Sequence, residues 1–414
     1  YSSFGQPAST TDPLGNTSTF AYDRAGNLIS TTDPLGNTTW RVYDAVSRLI
    51  AQTDPRGQTT AFTYDALNRM FQLTDARGGV TTFTYDANGN LETLTDARGN
   101  ATRHTYDSMD RLATRTDAVG ATETFEYDLE GNLVQYTDRK SQVRTFTYDA
   151  VNRKTRVSHV DGNTVSLVYD AGDRVVQAND SVGGTILTQY DIVDRLVAQS
   201  TYLGTMGYQY DALGRRVSIA PPGQALVTYA YDVASRLTAI AQNGQLATVE
   251  YDGVGRRTRL TLPNQVSTEY HYDANSHITG LVFRNAGGDL GDLTYQYDAS
   301  GNRTRVGGSL AGALIPDGVT SASYDSANRQ LQFGDKHMVF DSNGNVVSIT
   351  DPTSATSFTW DVRNRLVAIA SASTTASFTY DATGRRTAKQ INGRVTEYLY
   401  DGVDIIQELV DATL

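Results

Sequence analysis

Residues 81–85 read Thr-Thr-Phe-Thr-Tyr, and the alternation predicts a strand with Phe83 and Tyr85 on one face and Thr82 and Thr84 on the other. Asp86-Ala87-Asn88-Gly89-Asn90 follows and has the chemistry of a turn. An Asp carboxylate accepts from backbone N–H groups ahead of it, and Gly or Asn tolerates positive φ. Leu91–Thr95 predicts a second strand, and Asp96-Ala97-Arg98-Gly99-Asn100 a second turn. Earlier copies make this second turn plainer, as Asp33-Pro34-Leu35-Gly36 and Asp54-Pro55-Arg56-Gly57. Proline suits the second position of a β-turn and glycine its end. The unit is therefore strand, turn, strand, turn.

The unit recurs. Its mark is a Tyr-Asp pair at Tyr22-Asp23, Tyr43-Asp44, Tyr64-Asp65, Tyr85-Asp86, Tyr106-Asp107, Tyr127-Asp128, Tyr148-Asp149, Tyr169-Asp170 and Tyr190-Asp191, each 21 residues after the last. Tyr1 is in phase with them, with Ser2 in the place of Asp. Pairs continue at Tyr210, Tyr231, Tyr251 and Tyr272, loosen through Tyr297, Tyr324 and Phe340, and resume at Trp360, Tyr380 and Tyr400. About twenty repeats predict about forty strands, or a sheet on the order of 190 Å long at ~4.8 Å per strand. Open twisted sheets beyond about ten strands curl. This one is expected to wind on itself and to pair its edges between successive turns.

With strands of about five residues and no helical stretch to fill a centre, a hollow spiral shell or a narrow solenoid is favoured over a packed sandwich. The expected fold class is all-β: tandem hairpins in a long spiralling sheet. Three stretches are expected: regular repeats over 1–272, irregular repeats with longer loops over 273–340, and regular repeats over 341–414. A change in the course of the spiral is the alternative reading of the middle stretch.

Composition refines this picture. The 25 tyrosines favour strands and the 36 glycines favour turns. A net charge of −11 argues against nucleic-acid binding, which needs Lys and Arg on phosphate. No cysteine is present, so disulfides and thiolate metal sites are excluded. No run of 18 apolar residues predicts a membrane-spanning helix.

The motifs YDRAGNL (22–28), YDALNRM (64–70), YDANGNL (85–91) and YDVASRL (231–237), joined through TDPLGNT, resemble the Rhs/YD-repeat family. That family includes bacterial Rhs and wall-associated polymorphic toxins, the C components of insecticidal toxin complexes, and teneurins. The resemblance covers the whole chain. It implies a β-cage and a non-enzymatic role as the shell of a secreted or cell-surface bacterial toxin. The partner it implies is a toxic domain of the same polypeptide beyond residue 414. The family's closing segment and self-cleavage motif are missing, so the chain is expected to be a piece of something longer.

Candidate chemistry is sparse. Nearly every Asp sits at a fixed repeat position, unlike a glycosidase pair. The Asp-x-Asn-Gly-Asn loops at 86–90 and 341–345 lack the spacing of a calcium loop. Of His104, His159, His271, His277 and His337, only His271 and His277 are close in sequence. No catalytic residue, metal site or cofactor is expected. The recurring Tyr is expected to form an apolar ladder, with Tyr residues ~9.6 Å apart and Leu or Val between them. Stacking of its rings on cell-surface glycans, as in an extracellular carbohydrate-binding or adhesion protein, is the alternative. The recurrent Arg48, Arg69, Arg111, Arg153, Arg195 and Arg236 are expected to bond neighbouring turns and carboxylates.

Overall fold

The computed structural model describes residue 1 and residues 5–312, 318–319 and 321–411. Ser2 lies outside this set. Among the described residues every regular element is a β-strand, 39 in all, which is two per repeat. Thr59–Tyr64 pairs antiparallel with Met70–Thr74, placing Phe62 opposite Leu73. Met70–Thr74 pairs in turn with Val80–Tyr85. Within a sheet each strand bonds to the next in sequence, so order in space follows order in the chain. Twenty-nine strands from Ser9 to Gly307 make one sheet, and ten from Ala322 to Val410 make a second.

Each Tyr-Asp hairpin carries a register slip just before its tyrosine, as between Thr63 and Tyr64 or Thr84 and Tyr85. A bulge adds local bend and twist. Placed at the same point of every repeat, it coils the whole sheet in one sense. Along Thr59–Tyr64 the residues Thr60, Phe62 and Tyr64 are half-buried while Thr59, Ala61 and Thr63 are exposed. One face is thus aromatic and the other rich in threonine. Fully buried hydrophobics are few. The main cluster, Met206, Tyr208, Ile219 and Leu399, forms where the end of the second sheet lies against the first. Most of the wall is one sheet thick, so its stability comes from strand ladders and cross-strand side-chain pairs.

The wall returns to itself. Leu14 lies 3.5 Å from where a side chain on Gly253 would begin. Asn275 bonds Asp33, Ser300 bonds Asp54, Asn328 bonds Asp96 and Asn343 bonds Asp138. The sheet is therefore a spiral whose second revolution sits on the first. Edge pairing between revolutions, expected from the sequence, is not what joins them. The strands run from rim to rim, so revolutions meet at hairpin ends. Among the described residues no strand of one revolution pairs with a strand of the other. Tyr-Asp turns of the second revolution sit on the Asp-headed second turns of the first.

The match loses two steps within one stretch. Asp33, Asp54 and Asp96 are half-buried under second-revolution turns, but Asp75 between them is exposed. The Asp325 turn then reaches two first-revolution turns, through Asn328 to Asp96 and through Ser326 to the Ala118 carbonyl. That stretch begins where the two sheets are divided. It follows the longest hairpin of the chain, Ile278–Asn285 with Gly288–Tyr297.

Gly183 shows how close the revolutions come. A Cβ there would lie 2.1 Å from the Tyr380 carbonyl oxygen. Gly183→Ala is expected to destabilise the protein by about 1–3 kcal/mol through overpacking. Hydrogen exchange should rise around residues 375–401 and stay unchanged over 43–127. Equal protection at 375–401 in both proteins would show that the contact is not made in solution.

Candidate functional site

The Asp that heads each turn fixes it. Asp44 Oδ1 accepts from the N–H groups of Val46 (3.0 Å) and Arg48 (2.9 Å), and Oδ2 accepts from Arg48 Nε at 2.7 Å. The residue before Arg48 is Ser47 at φ 66°, so a type I turn closes with a left-handed residue. Asp23, Asp65, Asp86, Asp107, Asp128, Asp149, Asp170 and Asp191 occupy the same place in their own turns. In Asp44 and Asp65 the N–H of the arginine four residues on is the main cause that holds the carboxyl below its usual range. Second turns such as Asp33–Asn37 have the same design. Both ends of the early hairpin pairs therefore present one structure, whereas later second turns such as Asn243-Gly244 and Asn392-Gly393 are two-residue turns without an Asp head.

Tyrosine and arginine link the repeats. The Tyr64 hydroxyl donates to the Leu49 carbonyl at 2.9 Å. Tyr22, Tyr43, Tyr85, Tyr106, Tyr127, Tyr148, Tyr169 and Tyr190 each donate likewise to a carbonyl 15 residues earlier. Trp360 keeps the bond through its indole N–H, to Val346. Arg48 lies 4.9 Å over the Tyr64 ring and reaches Asn68 Oδ1 in the next turn at 2.7 Å. Arg69, Arg111 and Arg153 lie in the same way over Tyr85, Tyr127 and Tyr169. Arg195 and Arg236 cover Tyr210 and Tyr251.

The ladder is thus not the purely apolar one expected. Guanidinium groups lie on the rings that follow an arginine-bearing turn, and a ring face occupied by an arginine offers no platform for a sugar; Tyr43, Tyr106 and Tyr148 follow turns ending in Asn27, Asn90 and Asn132 instead. His277 substitutes for that arginine: it bonds Asp273 at 3.0 Å and stacks on Tyr297 at 4.7 Å. His271 points to the other face, opposite Gly280. The two are not brought together. Among the described residues no three acidic or histidine side chains are placed to hold a metal.

The place where the residues do something new is the seam. Asn275 Nδ2 donates to Asp33 Oδ2 at 2.5 Å, Ser300 Oγ to Asp54 Oδ2 at 3.1 Å, and Asn343 Nδ2 to Asp138 Oδ2 at 2.7 Å. Arg363 grips Asp180 with both terminal nitrogens. All four donors stand at one position, two residues after the Asp of a Tyr-Asp turn. The Asp180 side chain is fully buried. Burial, the largest influence, raises its pKa, but Arg363 together with the N–H groups of Val182 and Gly183 outweighs that and holds the carboxyl below its usual range.

His159 takes the place of Asp at the head of its own turn. It is buried, and burial together with Arg363 and Arg144 lowers its pKa to about 4. These seam residues escaped the sequence reading, although a signal was present. In the first revolution the same turn position carries Val46, Leu67, Met109, Val151 and Leu213 alongside Asn88 and Glu130; after residue 254 it carries Asn275, Ser300, Asn343, Arg363 and Thr383 alongside Ala327 and Val403, so hydrogen-bond donors become commoner there without being exclusive.

The fold and seam define a class: a repeat-built β-shell, wound from hairpins and locked rim to rim. Two family models match it. The RHS repeat matches residues 1–38, 43–80, 72–101, 85–122 and 127–164, and the teneurin YD-shell matches residues 257–409. The chain belongs to the RHS/YD-repeat family. No curated protein matches it in sequence.

Among solved structures it is similar to TcdB2-TccC3, with a TM-score of 0.75 and 15% identity over 99% of this chain and 30% of that one. The Photorhabdus luminescens Tc holotoxin pore matches with a TM-score of 0.71 and 15% identity, over 95% of this chain and 27% of that one. TcdB2-TccC3 without its hypervariable C-terminal region gives the same values. The likeness therefore lies outside that region. This chain spans less than a third of the length of those it matches.

Two outcomes follow for the site. Arg363→Met leaves the buried Asp180 carboxylate without a counter-charge, held only by the Val182 and Gly183 N–H groups, and is expected to cost about 3–5 kcal/mol; adding Asp180→Leu should recover part of it. Equal stability of the single and double variants, by urea unfolding, would mean that the pair does not close the seam. The second outcome concerns pH. The unfolded His159 titrates at its ordinary 6.5 and the folded one near 4, so its contribution is complete above pH 6.5 and lost as pH falls toward 4. His159→Gln is expected to flatten that part of the stability profile, measured by thermal melts from pH 7 to pH 4.

Proposed function

We propose that the chain is a wall segment of a secreted or cell-surface bacterial toxin shell, enclosing a toxic domain carried further along the same polypeptide. The carrying observation is the seam. A spiral whose revolutions lock rim to rim makes a closed wall, whereas an open sheet would enclose nothing. Family membership supports a structural role, and the likeness to Tc toxin structures supports the link to toxins. The wall's own residues are committed to turns, ladders and seam, so the proposed role is containment and the chemistry belongs to the cargo. The division into regular repeats over 1–272, an irregular stretch over 273–340 and regular repeats over 341–414 fits this role, the middle stretch being where the wall changes circumference.

Limited proteolysis of the full-length polypeptide tests the reading. With the wall intact, the enclosed domain should resist protease at least tenfold longer than the same domain expressed alone. Arg363→Met should remove much of that protection. A domain that is cut equally fast in both settings defeats the proposal.

A further inference from the structure

Some ladder tyrosines carry no arginine. Tyr43, Tyr106 and Tyr148 follow turns that end in Asn27, Asn90 and Asn132. Where the arginine is present its contacts are constant. Arg153 bonds Asp149 of its own turn at 2.7 Å and lies 4.8 Å over Tyr169. It also reaches the Asp170 carbonyl (3.2 Å) and the Asp173 carboxylate (2.7 Å) of the next turn. Arg174 makes the same set with Asp170, Tyr190, Asp191 and Asp194. Asparagine keeps only the side-chain bonds. Asn90 donates to Asp86 and Asp110, and Asn132 to Asp128 and Asn152. Asparagine brings no charge, and among the described residues no side chain donates to the Asp107 or Asp149 carbonyl.

Three observations mark such a step as incomplete. First, an open cleft of about 350 Å³ lies over Tyr148, lined by Asp128, Glu130, Asn132, Phe146 and Asn152. Lys154, paired across the strands with Tyr148, lies over Phe146 instead, at 4.8 Å. Second, the carboxylates there lack counter-charges. Asp65, Asp107 and Asp149 each hold the arginine of their own turn. Among the described residues Asp86, Asp110, Asp128 and Glu130 pair with no cation. Burial, and after it the Asp86 and Asp128 charges, raise the hydroxyl pKa of Tyr106 and Tyr148. Third, the chain fills this kind of step elsewhere. The turns ending in Asn302 and Asn345 also lack an arginine, and there the cations come from the first revolution. Arg56 pairs with Asp298 at 3.2 Å, Arg98 lies 5.9 Å over Tyr324, and Lys140 pairs with Asp341 at 3.1 Å. Each of these three stands two residues after the Asp of a second turn. An Asn-ended turn there takes its cation from a distant segment.

We infer that the steps at Tyr106 and Tyr148 are binding sites for an arginine-like cation supplied from outside these repeats. The tyrosine ring takes the face of the guanidinium. Its N–H groups reach the Asp107 or Asp149 carbonyl and the Asp110 or Glu130 carboxylate. A guanidinium fits better than an ammonium, because one planar group must meet a ring face and two acceptors at once. The Tyr43 step has the same open ring but no second carboxylate, its next turn carrying Ser47. Tyr106 and Tyr148 lie two repeats apart, four strands or ~19 Å. Arginines about six residues apart in an extended peptide span that distance at ~3.3 Å per residue. A small guanidine fills one site, and an arginine-bearing polypeptide can hold both. The inference concerns the wall itself and stands whether or not the shell encloses a cargo.

Saturation-transfer NMR on the 414-residue chain tests it, with arginine amide as the probe and citrulline amide as its uncharged isostere. Arginine amide is expected to bind with a Kd on the order of 1 mM at low salt, and citrulline amide about tenfold more weakly or worse. Asn27→Arg, Asn90→Arg and Asn132→Arg together supply the guanidinium from the turns themselves. With circular dichroism unchanged, this turn variant should bind arginine amide about tenfold more weakly than the wild type. A charge-matched control, Thr63→Arg, Thr84→Arg and Thr145→Arg on the exposed threonine face, should bind it as the wild type does. A peptide with two arginines about six residues apart is expected to bind about tenfold tighter than arginine amide. Equal affinity would assign the sites to a small guanidine. Citrulline amide bound as tightly as arginine amide overturns the inference. So does arginine amide bound equally by the wild type and the turn variant, or not bound by the wild type at about 10 mM.

Discussion

Everything in this molecule depends on a carboxylate that accepts two backbone N–H groups. The Asp at the head of most turns takes the N–H groups of the second and fourth residues after it, which sets a tight turn at a fixed length. Because the bonds are local, each hairpin closes without waiting for distant contacts. Because the turn length is fixed, every strand is placed in the same register as its counterpart in the repeat before. The bulge beside each tyrosine then repeats with it, and a repeated bulge is a constant curvature. The chain needs no large core: the coil follows from the turns, and the seam follows from the coil.

Arginine is where local order becomes long-range order. A single residue such as Arg48 bonds the Asp of its own turn, the side chain of the next turn and the ring of the next tyrosine. Each of these contacts is worth little alone, since exposed ion pairs contribute about 0–1 kcal/mol and exposed cation–π contacts about 0.5–1 kcal/mol. Their number matters because repeats couple to their neighbours, and stability in such arrays adds up repeat by repeat. His277 and Trp360 show what the position requires. A flat cationic or aromatic group on the ring, or a donor for the carbonyl, is enough to keep the ladder going.

Much of this was legible in the sequence. The alternation at Thr81–Tyr85, the Asp-headed turns and the 21-residue interval together specify hairpins, their order and their antiparallel pairing. The expectation of a curled wall also follows from them, because a flat sheet of that length is not stable. The way the wall closes was not legible. Side chains about 200 residues apart meet only once curvature is known, and curvature depends on bulge geometry that no short motif reports. The tyrosine ladder was misjudged for a related reason. Leu49 and Arg48 are adjacent in sequence, and the register that turns the arginine onto the next ring appears only with the strands in place. The donors at the tip position, Asn275, Ser300, Asn343 and Arg363, stood in plain view; they gain meaning once the two revolutions face each other.

The two steps lost between Asp54 and Asp138 decide the shape of the container. The Asp273 turn rests on a turn about twelve repeats earlier, whereas the Asp341 turn rests on one about ten repeats earlier. Two repeats fewer shorten the circumference by about 19 Å, and the radius by about 3 Å, at ~4.8 Å per strand. A wall that narrows as it climbs is a dome. Its capacity is then a matter of counting: the repeats in the first revolution set the width of the base, and the rate at which repeats are dropped sets the height at which the walls converge. An insertion or deletion of one hairpin unit would alter how large a molecule fits inside without touching a single contact within the remaining repeats.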